Sequence, residues 1–256
     1  MTRGGGKDDA WYWGRKPGGD RRPFWLRVAA VIVKPTNMYM FRRDWRGMEN
    51  IPLRGGLIFA VNHISHADPM PVAHYVYNSG RNPRFMAKDG VFRIPVAGKI
   101  IAATGQIPVF RGGADAVKSL HAAIDIVKDG QAVIIYPEGT NTRQPQHWPM
   151  RGRTGVARLA LETGAPVIPI TVWGPQNVVN PITKKKNFAP RRPVTIVAGS
   201  PIDLSRWEGA SAAADVLQSM TDVVMLRLRD QLAEIRGEEP PPLFDPKAAQ
   251  TPGKDE

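Results

Sequence analysis

Cysteine is absent from this 256-residue chain. Its absence removes disulfides, thiolate nucleophiles and cysteine-based zinc sites together, and it suits a reducing compartment. Negative charge is also scarce: 23 acidic residues face 35 lysines and arginines, a formal excess of +12. Such an excess asks for an anionic partner, and nucleic acid, anionic lipid and a phosphorylated substrate all qualify. Missing too is any run of ~20 uninterrupted apolar residues, the length a spanning helix needs. The nearest approach, Phe24 to Val33, contains Arg27 and runs into Lys34 and Pro35. Carrying it across a bilayer would bury two cations at about 2.5–3.5 kcal/mol each, and no small-residue cleavage pattern marks it as a leader. The five histidines form no H-E-x-x-H pattern, so no metal site is expected. There is no G-x-S-x-G elbow for a serine nucleophile, no internal repeat and no recognisable nucleic-acid motif.

What is present divides into four stretches. Residues 1–22 are Gly-rich and charged around Trp11, Tyr12 and Trp13, and read as a mobile N-terminal tail. Residues 23–46 join aromatics and aliphatics to Arg42, Arg43 and Arg46, the composition of a helical segment lying on an anionic membrane surface. An ordinary helix packed on the main domain would share that composition. Residues 47–236 alternate strand and helix patterns, and residues 237–256 are Pro-rich and charged, read as a disordered C-terminal tail.

Within the main stretch, strands are expected at Leu57–Val61, Arg84–Ala87, Ala132–Tyr136, Pro166–Val172 and Pro193–Ala198. Helices are expected at Pro69–Tyr77, Ala114–Lys128, Gly155–Thr163 and Ala212–Arg236. In the second of these Val117, Leu120, Ile124 and Val127 share a face; in the last, Leu217, Met220, Val224, Leu228, Leu232 and Ile235 do. This alternation predicts an α/β fold with a central, mostly parallel or mixed sheet flanked by helices, preceded by an N-terminal interfacial helical segment.

The most informative stretch is Asn62-His63-Ile64-Ser65-His66-Ala67-Asp68-Pro69, directly after an expected strand. Asp68 before Pro69 is a good helix start, which leaves His63 on the loop ahead of it. Across a tight loop-to-helix turn the two side chains can approach. A carboxylate beside one imidazole nitrogen fixes the tautomer and frees the other nitrogen to take a proton from an alcohol. Ser65 and His66 read as loop residues, Ser65 bonding local backbone.

Three further blocks follow in order: Gly105, Ile107, Val109 and Arg111; Pro137-Glu138-Gly139-Thr140; and the apolar Val167 to Ile170. Together with Asn62 to Pro69 they make the chain resemble the glycerolipid acyltransferase family, to which the lysophosphatidic acid acyltransferases belong. The likeness runs from about Arg46 to Ile202. By that resemblance His63 is a general base oriented by Asp68. The acceptor oxygen attacks a thioester directly, and no cofactor is needed beyond acyl-CoA or acyl carrier protein as co-substrate. Arg111 is the leading phosphate ligand, because a guanidinium matches phosphate oxygens in a bidentate fork. Gly139 and Thr140 follow a strand end, where ligands gather in open α/β sheets, and Glu138 holds either an acceptor hydroxyl or a neighbouring basic group.

Two positions depart from the family's commonest pattern. Asn141 stands where arginine is frequent, with Arg143 two residues on as a shifted source of charge, and Phe110 stands where an acidic residue is frequent. Lys88 matches a commonly basic position and is a further phosphate candidate. The apolar stretch Val96 to Ile107 suits plain core or the wall of an acyl tunnel. Lys184–Lys186, Arg191 and Arg192 form a basic loop able to face headgroups or the phosphates of coenzyme A.

The implied activity is acyl transfer to 1-acylglycerol 3-phosphate or glycerol 3-phosphate in phospholipid biosynthesis, on the cytoplasmic face of a membrane and held there peripherally or monotopically. The implied partners are an acyl thioester donor, a phosphorylated glycerol acceptor and an anionic membrane surface, without nucleic acid. Another lipid or polyol acceptor, or a catalytically silent lipid-binding protein of the same fold, are the competing readings.

Overall fold

The computed structural model describes residues 18–110 and 113–246. Seven helices occur among them: α1 (Phe24–Met40), α2 (Pro69–Ser79), α3 (Asp89–Phe92), α4 (Ala97–Ala103), α5 (Gly113–Lys128), α6 (Gly155–Thr163) and α7 (Ala214–Arg236). The strands are β1 (Phe41–Arg46), β2 (Leu57–Val61), β3 (Met86–Lys88), β4 (Ile107–Val109), β5 (Ala132–Ile135), β6 (Val167–Trp173) and β7 (Arg192–Ala198). Five of them make the central sheet in the order β1-β7-β6-β2-β5. Every pairing is parallel except β6 with β7. The short parallel pair β3–β4 hangs on β5 through a bridge between Phe85 and Ile134.

The unbroken Leu-Ile-Phe-Ala-Val run of β2 follows from its place between β5 and β6, covered on both faces. Alternate residues feed different cores. Leu57, Phe59 and Val61 pack with Val72, Tyr75 and Val76 of α2 on one side. Ile58 and Ala60 pack on the other with residues of α5, α6 and α7, among them Ile124, Leu159 and Leu228. Truncating Leu57, Ile58, Leu159 or Leu228 to alanine would cost about 2–5 kcal/mol. Because β2 and β5 run parallel with Ala60 opposite Ile135, their C-terminal ends lie side by side. The chain therefore emerges from both at one sheet edge, the position that open α/β folds use for ligands.

The α/β architecture with a mostly parallel sheet matches the expectation, and four details do not. Residues 41–46 belong to a strand rather than to the interfacial helix, because they pair with the otherwise open edge of β7 and bury Phe41. Val117 is 52% exposed: the core face of α5 is carried by Ala123, Ile124 and Val127, while Ala116, Ser119 and Leu120 turn toward a cavity. Ile235 is only half-buried at the end of α7. The segment read as a disordered tail from residue 237 is held as far as its Phe244 bridge to Met150, with the Arg151 amide donating to the Phe244 carbonyl at 2.8 Å.

At the other end, residues 18–22 are tied in as well, although the rest of that tail lies outside the described residues. The Asp20 carboxylate accepts from the Asn82 amide at 2.8 Å and meets Arg81 at 3.3 Å. Buried Arg81 also donates to the carbonyls of Pro52, Gly55 and Gly130.

Candidate active site

The turn after β2 is built by its own side chains. Asn62 is buried and extends the sheet: its amide donates to the Val172 carbonyl at 3.0 Å, and its oxygen accepts from the Val172 amide at 2.7 Å. Asp68 precedes Pro69 at the start of α2, yet its carboxylate makes no cap bond to the helix. It folds back instead. Oδ2 accepts from the backbone amides of Ile64 at 2.7 Å and Ser65 at 2.9 Å, and lies 3.0 Å from Nδ1 of His63. Three donors converging on one oxygen close the turn and fix the imidazole. Nδ1 carries the proton in that arrangement, which leaves Nε2 as the basic nitrogen.

Burial raises the Asp68 carboxyl above its ordinary range, opposed by its bond to His63 and by the Ser65 and Ile64 amides. Ser65 is no nucleophile in this setting: its hydroxyl donates to the Val179 carbonyl at 2.7 Å and accepts from the Ala67 amide. His66 lines the same cavity as His63, and burial lowers its basicity.

The turn after β5 locks against the first. The Glu138 carboxylate accepts from the His63 amide at 2.8 Å and from the Met150 amide at 3.3 Å, and the Thr142 amide donates to the His63 carbonyl at 2.7 Å. Burial pushes Glu138 up to about 8 despite those two bonds. The expectation from the sequence is that Glu138 holds an acceptor hydroxyl or a neighbouring basic group; among the described residues its carboxylate instead grips the backbone of the turn that carries His63. Asn141 turns its amide nitrogen to 3.3 Å from Nδ1 of His63. Tyr136 stacks on the imidazole with ring centroids 4.2 Å apart, and burial holds its phenol far above the ordinary tyrosine range.

The His63 ring borders a cavity of about 980 Å³. One wall is apolar, with Leu26, Ala30 and Val33 of α1, Ile100 and Ile101 of α4, and Phe85. Gly139, Thr140, Asn141, Lys88 and Arg153 bring polar groups to the same space. Arg143 borders only a smaller adjoining cavity, and Arg111 lies outside the described residues. Arg153 escaped the reading of the sequence, since no spacing rule ties it to Gly139. Only the fold lays its guanidinium across that glycine, where an added Cβ would meet Nε at 2.9 Å.

An imidazole held by a buried carboxylate at the strand edge of an α/β sheet, facing an apolar cavity, has the form of a base that serves acyl transfer. In agreement, the family model described as Acyltransferase matches residues 42–173, and the chain belongs to that family. More particularly, a stretch of 156 residues is 30% identical to the chloroplastic 1-acyl-sn-glycerol-3-phosphate acyltransferase BAT2 of Brassica napus, covering 60% of this chain and 44% of that protein. The 1-acyl-sn-glycerol-3-phosphate acyltransferase of Borreliella burgdorferi is 29% identical over 132 residues, 51% of each chain. This chain thus spans about half, or less, of the length of these relatives. The crystal structure of the 1-acyl-sn-glycerophosphate acyltransferase PlsC from Thermotoga maritima shares the fold, with a TM-score of 0.63 over 84% of this chain and 81% of that one at 22% identity.

Proposed function

We propose that the chain transfers a fatty acyl group from an acyl thioester, on coenzyme A or acyl carrier protein, to a hydroxyl of 1-acylglycerol 3-phosphate or glycerol 3-phosphate. The observation that carries this reading is the 3.0 Å contact of His63 with buried Asp68 at the mouth of the large apolar cavity. Nε2 of His63 removes the proton from the acceptor hydroxyl as its oxygen attacks the thioester carbonyl. The tetrahedral adduct collapses, the C–S bond breaks, and the thiolate leaves with a proton returned from the imidazolium. Asp68 stabilises the imidazolium while it exists. A base so placed contributes about 10²–10⁴-fold. The cavity wall of α1, α4 and Phe85 suits the hydrocarbon chain, and Gly139, Thr140 and Lys88 surround the polar head.

A membrane surface fits the same picture. Phe24, Trp25, Val31, Ile32 and Tyr39 of α1 are between 48% and 67% exposed. Contiguous apolar surface of this kind marks an interaction face, and α1 simultaneously walls the cavity in which a lipid chain would lie. No helix among the described residues is long and apolar enough to cross a membrane.

The test is a panel assay. Radiolabelled acyl-coenzyme A and acyl carrier protein are each offered with lysophosphatidate, glycerol 3-phosphate and monoacylglycerol. Label is expected in a phosphorylated glycerolipid. Failure of both donors to acylate either phosphorylated acceptor would sink the proposal, and wild-type turnover by His63→Ala would sink the mechanism.

A further inference from the structure

Beyond the large cavity, behind the turn of Gly139, lies a smaller one of about 440 Å³. The two share Thr140, Arg153 and Thr154. Three arginines border the smaller space, and they are not equivalent. Arg151 is engaged by Asp222 and Asp245, each at 3.3 Å. Arg143 and Arg153 have side chains that form no hydrogen bond and no ion pair among the described residues.

The seat of Arg153 is built rather than incidental. Its amide donates to the Pro137 carbonyl at 2.8 Å, which fixes its backbone against the Pro137–Thr140 turn. Gly139 adopts a left-handed φ of 68°, and a Cβ there would come within 2.9 Å of Nε and 3.0 Å of Cδ of Arg153. Glycine therefore satisfies both the turn and the close approach of the guanidinium. Thr154 occupies the N-cap position of α6, but its hydroxyl makes no cap bond to the helix. Asn141 brings no charge to this turn, its amide nitrogen lying 3.3 Å from Nδ1 of His63. Residues 137–142 include no cation, and Arg153, 14 positions beyond Gly139 in sequence, brings one to the turn.

We propose that Arg153, with the hydroxyls of Thr140 and Thr154, binds the phosphate of the phosphorylated acceptor in the neck between the two cavities, with Arg143 as a second cation beyond it. This assignment rests on the function proposed above and names the residue that would give it its preference for a phosphorylated acceptor. A guanidinium can grip two phosphate oxygens at once, so it orients the glycerol hydroxyl toward His63 as well as holding the head. Glu138 also borders the smaller cavity, but its two oxygens are taken up by the His63 and Met150 amides.

The experiment compares wild type, Arg153→Ala, Arg153→Lys and Arg143→Ala. Steady-state kinetics are measured with 1-acylglycerol 3-phosphate and with 1-acylglycerol, using acyl-coenzyme A and an acyl-pantetheine donor that lacks the nucleotide. Loss of a hydrogen-bonded charge should raise KM for the phosphorylated acceptor about 10–100-fold in Arg153→Ala. Use of 1-acylglycerol should be unaffected, Arg153→Lys should recover only part, and Arg143→Ala should lose a few-fold. An unchanged KM for the phosphorylated acceptor, or an equal loss with both acceptors, overturns the assignment. A rise confined to the KM of acyl-coenzyme A overturns it too, and places the donor's nucleotide phosphates in the neck.

Calorimetric titration with glycerol 3-phosphate reads the site without turnover. Binding by wild type that is lost in Arg153→Ala supports the site even if acyl transfer is never observed, in which case only the proposed activity fails. No binding by wild type, or equal binding by Arg153→Ala, overturns the site. Arg153 is exposed, and thermal melting of the variants is expected to match wild type.

Discussion

The turn from Asn62 to Asp68 and helix α1 border the same cavity. In the turn, Asn62, Ser65 and Asp68 are buried, and each side chain bonds backbone amides or carbonyls of this turn or of a neighbouring strand or loop. Across the cavity, α1 has one buried stripe, of Leu26, Ala30, Lys34 and Asn37, and leaves Phe24, Val31, Ile32 and Tyr39 in the open. Helix α1 touches α2, α4 and β1, and its apolar outer face is largely exposed. A reacting group must be held within a fraction of an ångström, which dense polar bonding achieves. A surface that meets lipid needs apolar area and little internal bonding. On the proposed function, the contrast separates the part that performs the chemistry from the part that admits the substrate.

That contrast can be broken at its strongest point first. His63→Ala should lower kcat about 10²–10⁴-fold with little change in the melting curve, and Asp68→Asn should fall toward the lower end of that range; intact turnover in either would dissociate the turn from the chemistry. The joint change Phe24→Ser, Val31→Ser and Ile32→Ser should remove most flotation with anionic vesicles, since each apolar side chain contributes about 1.5–3 kcal/mol when fully buried. Turnover of a detergent-dispersed substrate should survive it. Undiminished flotation would show that the outer face of α1 does not carry the membrane contact. Asn62→Ala leaves both the amide and the carbonyl of Val172 without their partner and should cost about 1–3 kcal/mol in denaturant unfolding. An unchanged midpoint would mean the turn holds without its link to β6.

The smallest effect at neutral pH concerns His74, which lies where α1 and α2 meet and has both ring nitrogens buried without a hydrogen-bond partner. Burial, then the charges of Lys34 and Arg43, lower it from 6.5 to about 3. Between those values the unfolded chain binds a proton that the folded chain refuses. His74 therefore makes stability fall as pH drops from about 6.5 toward about 3, and contributes no slope above that window. His74→Phe, which keeps the ring and removes the orphaned nitrogens, should flatten this limb in melts taken across pH 3–7; an unaltered limb would mean His74 is already protonated in the fold.

Much of this was legible along the chain. The apolar runs of β2, β5 and β6 announce strands covered on both faces, and the Asn62–Pro69 and Pro137–Thr140 segments follow strand ends whatever the strand order. Less was legible where a residue's role depends on a distant partner. Phe41–Arg46 carries too few apolar residues to declare a strand, and becomes one because β7 offers an unpaired edge. Val117 continues a helical stripe by spacing yet stays exposed, because spacing records angle around the helix and not what stands opposite. Phe244 is held by Met150 and Arg151, nearly a hundred positions earlier.

By itself the order of residues determined which side chains are chemically able to act: an imidazole, a carboxylate five positions on, a Pro-Glu-Gly-Thr turn and a surplus of cations. Local steric and hydrogen-bonding rules, which reach only a few residues, were enough for that. The tertiary structure alone decided which of them meet. Parallel pairing of β2 with β5 brings the two turns together, folds Glu138 beneath His63, sets Asn141 beside the imidazole and lays Arg153 across Gly139. Those contacts join residues 14 to 78 positions apart, a separation over which the chain carries no local signal of proximity.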